Sequence, residues 1–280
     1  MRKLIKFSFF LFLAGVFIAV FGRVLANIPV GERIAVIRVK GPIVEPDRIV
    51  ARIEQAEKDQ SVKALVLRVD SPGGSVGASQ EIYRALEKLK NSGKPLVVSM
   101  GNVAASGGYY ISAPADFIFA NPGTITGSIG VIIQHTDLRE LFGKVGIKTD
   151  TIKTGEFKDT LSPFKDLSER EREYLQNMVG EVYEQFLKAI LKYRSKKISE
   201  EKLRSIADGR VLTGEAALQV GLVDELGNMQ DAVEKARALS RSPKARVFYL
   251  EERKGFLKTL LEGSFEGIYQ YPLMVYYLLR

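Results

Sequence analysis

The chain has 280 residues, enough for one large domain or two small ones, and at 46% hydrophobic and 26% charged it has the apolar material for a packed core. The absence of cysteine excludes disulfides and thiolate metal sites, and the single histidine, His135, excludes a multi-histidine metal centre. The net charge is +8, but Lys and Arg are mixed with Asp and Glu along most of the chain, with no basic block carrying interleaved aromatics. That pattern reads as solvated faces and a charged N-terminal flank, not as a nucleic-acid surface.

Residues 7–22 form an uncharged, almost wholly apolar run, and the apolar stretch continues past Arg23 to residue 26. At 1.5 Å per residue, about 20 residues cross a bilayer core of about 30 Å, so 7–26 suffices if Arg23 snorkels to the far interface. Arg2, Lys3 and Lys6 precede the run and favour a cytoplasmic N-terminus with the rest of the chain outside. The rival is a cleaved signal peptide, but Val24-Leu25-Ala26 lacks the alternating small residues of a cleavage site. The expectation is therefore an uncleaved single-pass anchor and linker over 1–30. Either reading places a main domain over 31–250 outside the cytoplasm, followed by an apolar tail over 251–280.

Within the main domain, 34–39 (IAVIRV) and 62–69 (VKALVLRV) are β-branched runs closed by turn residues and read as strands. Between them, 47–58 has helical spacing at Ile49, Ile53 and Ala56. A second helix follows the second strand, with Ile82, Leu86 and Leu89 on one face, and 95–100 (PLVVSM) reads as a third strand. Apolar strands alternating with helices predict a largely parallel sheet covered on both faces. Ser168 and Glu171 form a capping box for a helix reaching Arg194. Its apolar seam runs from Tyr174 through Met178, Val182, Phe186 and Ile190 to Leu191, wide enough for a core contact and a subunit contact together. Thr213 caps a helix of about eight residues, 229–239 is another helix and 245–250 a late strand. No period of 20–50 residues recurs, which excludes a repeat architecture.

Two glycine-rich turns follow strands: 70–76 (DSPGGSV) and 101–110 (GNVAASGGYY). Glycines past a strand end let backbone approach a ligand and leave N–H groups free. A helix starting after Gly107-Gly108 would add its N-terminal dipole. Ser106 is well placed there for a nucleophile, and the N–H groups of Gly74 and Gly107 for an oxyanion hole. Taken alone, such a turn is more often only a turn, and an isolated Ser or Lys is unreactive. Neither turn is a P-loop or a dinucleotide fingerprint, and no motif implies a metal, nucleotide or other cofactor. A Ser-His-Asp triad could draw only on His135, which sits in GVIIQHTDLRELF between a strand and a helix and reads as an ordinary structural or surface histidine.

The segments DSPGGSV, AASGGYYISAPAD, GTITGSIGV, TGEFKD and ADGRVLTGEAALQVGLVDELG, in that order, resemble the bacterial and archaeal signal peptide peptidase A family. The match runs from about residue 34 to residue 239, and it is the ordered combination that is specific. The resemblance implies an α/β fold, the crotonase-like or Clp-protease-like ββα superhelix, here preceded by a transmembrane helix. It also implies a serine peptidase with a Ser–Lys dyad: Ser106 as nucleophile, Lys158 of TGEFKD as general base, and Ser128 of TGSIG orienting the lysine. In that family, single-length chains form rings in which neighbouring subunits supply the Ser and the Lys. The implied substrates are short apolar peptides such as signal-peptide remnants. Asp159 could position the loop or simply be exposed.

The implied chemistry suits a chain with so little histidine. A hydroxyl needs an adjacent base to attack at neutral pH, and a lysine serves only in its neutral form, which burial favours. Two rival functions share the fold: acyl-CoA chemistry using the glycine N–H pair as an enolate hole, and a non-catalytic membrane scaffold. The last stretch, 255–280, is unusually apolar, Pro272 interrupts any helix, and the final run of 273–279 is too short to span a bilayer. It should be covered, first by packing on the body or a neighbour, otherwise by lying on the membrane or by entering a substrate groove as an extended strand.

Overall fold

The computed structural model describes residues 31–250 and the backbone of residues 276–278. The expected anchor over 1–30 and most of the tail lie outside the described residues. Among those described, no helix is long and apolar enough to cross a membrane.

The β-branched runs become the centre of an eight-stranded sheet. β1 (Arg33–Lys40) and β2 (Val62–Ser71) pair in parallel, and β4 (Leu96–Ala105) pairs with β2 on its other side. β9 (Arg246–Tyr249) closes one edge on β1; β6 (Ile125–Gly127) and β7 (Val211–Thr213) form the other, the latter antiparallel. β5 (Phe117–Ala120) pairs with the first half of β4 and carries β8 (Glu225–Leu226), whereas β6 pairs with the second half. One strand thus serves two partners in succession.

Alternation along the strands feeds two cores. Ile34, Val36, Ala64, Val66 and Val97 meet Ala232, Val233 and Ala236 of α8 (Met229–Leu239) on one face. Ala35, Ile37, Leu65, Leu67 and Val98 lie on the other. They pack under Ile53 of α1 (Asp47–Lys58), Ile82 and Leu86 of α2 (Val76–Asn91), and Phe186 and Ile190 of α5 (Glu169–Arg194). The expected parallel sheet with both faces covered is present.

Three expectations shift. β4 extends to Ala105, past Gly101-Asn102, because the Asp70 carboxylate accepts from the Val103 N–H and the Asn102 side chain. The short helix α3 (Gly107–Ser112) begins at Gly107, not after Gly108, and at six residues its dipole adds little. The helix capped by Thr213, α7 (Gly214–Gln219), is also six residues. Between them lie α4 (Arg139–Lys144), a 3-10 turn at Glu156–Asp159 and, after α5, α6 (Glu200–Ile206).

The capping box at Ser168 and Glu171 forms as expected. The seam on α5 is buried only at its C-terminal end, where Phe186, Leu187 and Ile190 are inaccessible; Tyr174 is 46% exposed. At that buried end Arg194 makes a two-pronged ion pair with Asp224, both side chains nearly inaccessible.

Candidate active site

Ser106 stands where β4 ends and α3 begins, with φ 53° and ψ −116°. A side chain rarely tolerates positive φ, and only Ser106, Ser128 and Arg241 among the described non-glycine residues have it. Two of the three are residues singled out from the sequence. The strain is held by neighbours: the Ser106 N–H donates to the Gly127 carbonyl at 2.8 Å, and the Tyr110 N–H donates to the Ser106 carbonyl at 2.8 Å.

The register Ala105↔Gly127 between β4 and β6 brings Ser106 beside Ser128 at the ends of adjacent strands. The Ser128 N–H donates to the Arg210 carbonyl. Both serines are buried, Ser106 to 1% exposure and Ser128 to 7%, and Ser106 Oγ has no hydrogen-bond partner among the described residues. A buried hydroxyl without a partner costs stability, so its retention points to a role outside folding.

The two glycine-rich turns meet at Gly107, the residue after Ser106. A Cβ at Gly107 would lie 3.2 Å from the Gly74 nitrogen and from the Gly73 Cα, and 2.6 Å from Ser79 Oγ. Gly107 is the first helical residue, so its N–H has no intrahelical acceptor. Gly74 lies in β3 (Gly73–Ser75), one edge of which is tied to Ile43: the Ile43 N–H donates to the Gly73 carbonyl, and the Ser75 N–H to the Ile43 carbonyl, each at 2.8 Å. The other edge pairs antiparallel with the tail strand β10 (Tyr276–Leu278), in register Tyr276↔Ser75, Tyr277↔Gly74 and Leu278↔Gly73. Over these three residues the tail's backbone is extended and lies against the body beside Gly74, as both packing on the body and entry into a groove would have it.

Lys158 sits apart. It is exposed on the 3-10 turn, and its amine makes no hydrogen bond or ion pair among the described residues. With Ser106 Oγ unpartnered, the structure brings Ser106, Ser128, Gly74 and Gly107 together but leaves Lys158 outside hydrogen-bond reach within one chain. The lysines on either side are engaged. Lys153 and Lys165 both donate to Asp159, at 2.6 and 3.1 Å, and Lys165 also donates to Glu171 at 2.5 Å. Hydrogen bonds from Lys153 and then Lys165 hold the Asp159 carboxyl below its usual range. Burial would raise Glu171, but Lys165 and Ser168 outweigh it and bring it to about 2. Sequence reasoning saw the capping box but missed that its glutamate also binds Lys165; the signal available was only the cluster of lysines around TGEFKD. His135 has the structural role expected, its Nε2 lying 2.9 Å from the Ser162 carbonyl.

The profile of peptidase family S49 matches residues 88–242, and that of the Clp protease family matches residues 32–120. A Methanocaldococcus jannaschii protein named as a protease is 43% identical over 205 residues, 72% of this chain and 65% of that protein. An Enterococcus faecium protein named as a signal peptide peptidase is 36% identical over 211 residues, covering 75% and 61% respectively. The chain thus spans about two thirds of the length of these relatives. The solved structure of the 1510-N membrane-bound stomatin-specific protease, in a mutant form, overlays with a TM-score of 0.52. It covers 80% of this chain and all of that one at 18% identity, a likeness of fold that supports the Clp-protease-like α/β assignment.

Proposed function

The chain belongs to peptidase family S49, and on that premise we propose that it is a membrane-anchored serine endopeptidase cutting short apolar peptides, with Ser106 as nucleophile and Lys158 of a neighbouring copy as base. The observation that carries this reading is the buried, unpartnered Ser106 Oγ on a strained backbone, next to Gly107, which packs closely on the Gly73–Gly74 backbone.

The chemistry follows from that placement. A neutral Lys158 amine, oriented by Ser128, takes the Ser106 proton as Oγ attacks the peptide carbonyl. The oxyanion is received by the Gly74 and Gly107 N–H groups. The resulting ammonium returns its proton to the leaving amine, and water activated by the same lysine then releases the acyl group. The edge of β3 that β10 occupies is the one a peptide would take as an antiparallel partner once the tail leaves it.

A ring of copies is the assembly this reading requires. The half-open α5 and the exposed Leu141, Val145, Ile147 and Phe157 give such neighbours apolar surface to bury. The apolar run over 7–26 and the basic residues before it support a single-pass anchor with the catalytic domain outside the cytoplasm. Signal-peptide remnants in the bilayer are the substrate class that fits that location and the family resemblance.

A fluorophosphonate probe tests the core of the reading. Labelling of the wild type, lost in Ser106→Ala, is expected. Absence of labelling in a protein that hydrolyses apolar peptides would overturn Ser106 as nucleophile, and absence of both labelling and hydrolysis would favour a scaffold or an acyl-CoA enzyme of the same fold.

A further inference from the structure

Lysines 153, 158 and 165 crowd the 3-10 turn, and only Lys158 is left without a partner among the described residues. Its sequence neighbour Asp159 would be the natural counter-ion. That carboxylate is taken instead: Asp159 Oδ1 accepts from both Lys153 Nζ and Lys165 Nζ. Lys153 Nζ also donates to the Glu156 carbonyl at 2.9 Å, which closes the turn. Lys165 bridges onward to Glu171, whose second oxygen accepts from the Ser168 N–H and hydroxyl, each at 3.0 Å. Glu171 is 1% exposed, so this end of the chain of contacts is fixed to the first turn of α5. On the outer side, Arg170 pairs with Glu156 at 2.8 Å, and the Phe157 ring packs on Tyr174 at 5.1 Å.

We propose that Asp159, Lys165 and Glu171 are positioning residues for Lys158: they clamp its turn to α5 and keep the adjacent carboxylate from neutralising its amine. The inference rests on Lys158 being the base. Its logic is electrostatic. A base must spend time as the free amine, and a carboxylate pairing with it would stabilise the ammonium form. With Asp159 Oδ1 shared by two ammonium groups, and Glu171 bound by one of them, two positive and two negative charges cancel around the turn, and the net charge facing Lys158 from its neighbour is offset. The charged groups bearing on the turn are Lys153, Glu156, Asp159, Lys165, Arg170 and Glu171.

The two halves of the clamp should therefore move the pH profile in opposite directions. In the full-length assembled protein, Lys165→Met leaves Asp159 held by Lys153 alone and removes one positive charge beside Lys158, and the alkaline rise of kcat/KM shifts to higher pH. Asp159→Asn leaves Lys153 without its counter-ion while Lys165 keeps Glu171, adds one net positive charge beside Lys158, and shifts the rise to lower pH. Both lower kcat by about 10- to 100-fold through misplacement of the base, with KM little changed. Asp159→Glu restores part of the rate. A merely structural clamp would lose activity in step with Tm and leave the midpoint in place; that result, or unchanged kcat in both variants, overturns the proposal. Lys158→Ala separates the two levels. If it keeps wild-type turnover, the reading of Lys158 as base fails; if it is inactive while the two shifts are absent, only the clamp fails. Should Lys165→Met not fold, Lys153→Met leaves the same carboxylate held by Lys165 alone and is expected to give the same upward shift; an unmoved midpoint there counts against the clamp.

Discussion

Replacing Gly107 by alanine tests the oxyanion hole through a single methyl group. The new Cβ would lie 2.6 Å from Ser79 Oγ and 3.2 Å from Gly73 Cα and the Gly74 nitrogen. Ser79 is wholly buried and donates to the Ser75 carbonyl at 3.0 Å, so it yields only by giving up that bond. The Gly73–Gly74 backbone must then move by several tenths of an ångström, taking the Gly74 N–H off the developing oxyanion. Loss of one such donor is worth about 100- to 1,000-fold in kcat, or about 3–4 kcal/mol of barrier. The overpacking itself should cost about 1–3 kcal/mol of stability, which thermal unfolding will show. The assay is kcat and KM on a chromogenic apolar peptide, with the rate of fluorophosphonate labelling. Gly77→Ala, where a Cβ meets nothing within 4 Å, is the control and should keep full activity. Adding Ser79→Ala to Gly107→Ala should recover part of the rate by removing the closest contact. A folded Gly107→Ala protein with near-wild-type kcat would refute the placement of the hole.

Deleting residues 273–280 removes β10 from the edge of β3 and should raise the rate on short peptides without changing oligomer size; a truncated protein that precipitates or dissociates would show the tail to be structural instead. Mixing inactive Ser106→Ala and Lys158→Ala chains should restore some hydrolysis through mixed interfaces, and failure in confirmed mixed oligomers would mean that each chain completes its own site. Arg194→Met should destabilise the fold, read by denaturant unfolding, by less than the about 3–5 kcal/mol of a wholly unpaired buried charge, because Asp224 keeps Lys197 at 3.1 Å and the Ile118 N–H at 2.9 Å. Burial would raise Asp224, but the hydrogen bonds and charge of Arg194 outweigh it and hold the carboxyl below its ordinary 3.8. Its contribution is therefore present above that value and lost as pH falls through the lower folded value. Asp224→Asn should flatten the acid limb of stability below about pH 4; an unchanged limb would show that the pair does not titrate with unfolding.

Much of the frame was legible because its signals are local. The helix over 47–58 and the one over 229–239 have the bounds expected, since uninterrupted periodicity and end signals agree. β5, β6, β7 and β8 were not anticipated; with two to four residues each, they exist through pairing with distant strands, which no short window carries. The same holds for the site. The turn at Ser106 announces itself through glycines after an apolar strand, whereas its meeting with Ser128 depends on the β4–β6 register. The family resemblance named Ser128 and Lys158 without geometry, and the geometry joins the first to Ser106 while leaving the second on a separate surface.

The uneven burial of α5 makes it a lever. Its fulcrum is the packed end at Phe186, Ile190 and the Arg194–Asp224 pair; its far end carries, through Glu171 and Lys165, the turn bearing Lys158. From Phe186 back to Glu171 is about 22 Å at 1.5 Å per residue, so a tilt of about 5° sweeps the turn through about 2 Å. That exceeds the whole window within which a base can share a proton with a hydroxyl. On the proposed reading, whatever seats the outer half of this helix also sets the stroke of the base, so catalysis would be switched on by assembly itself: a lone copy would carry a complete set of parts with its lysine swung out of play.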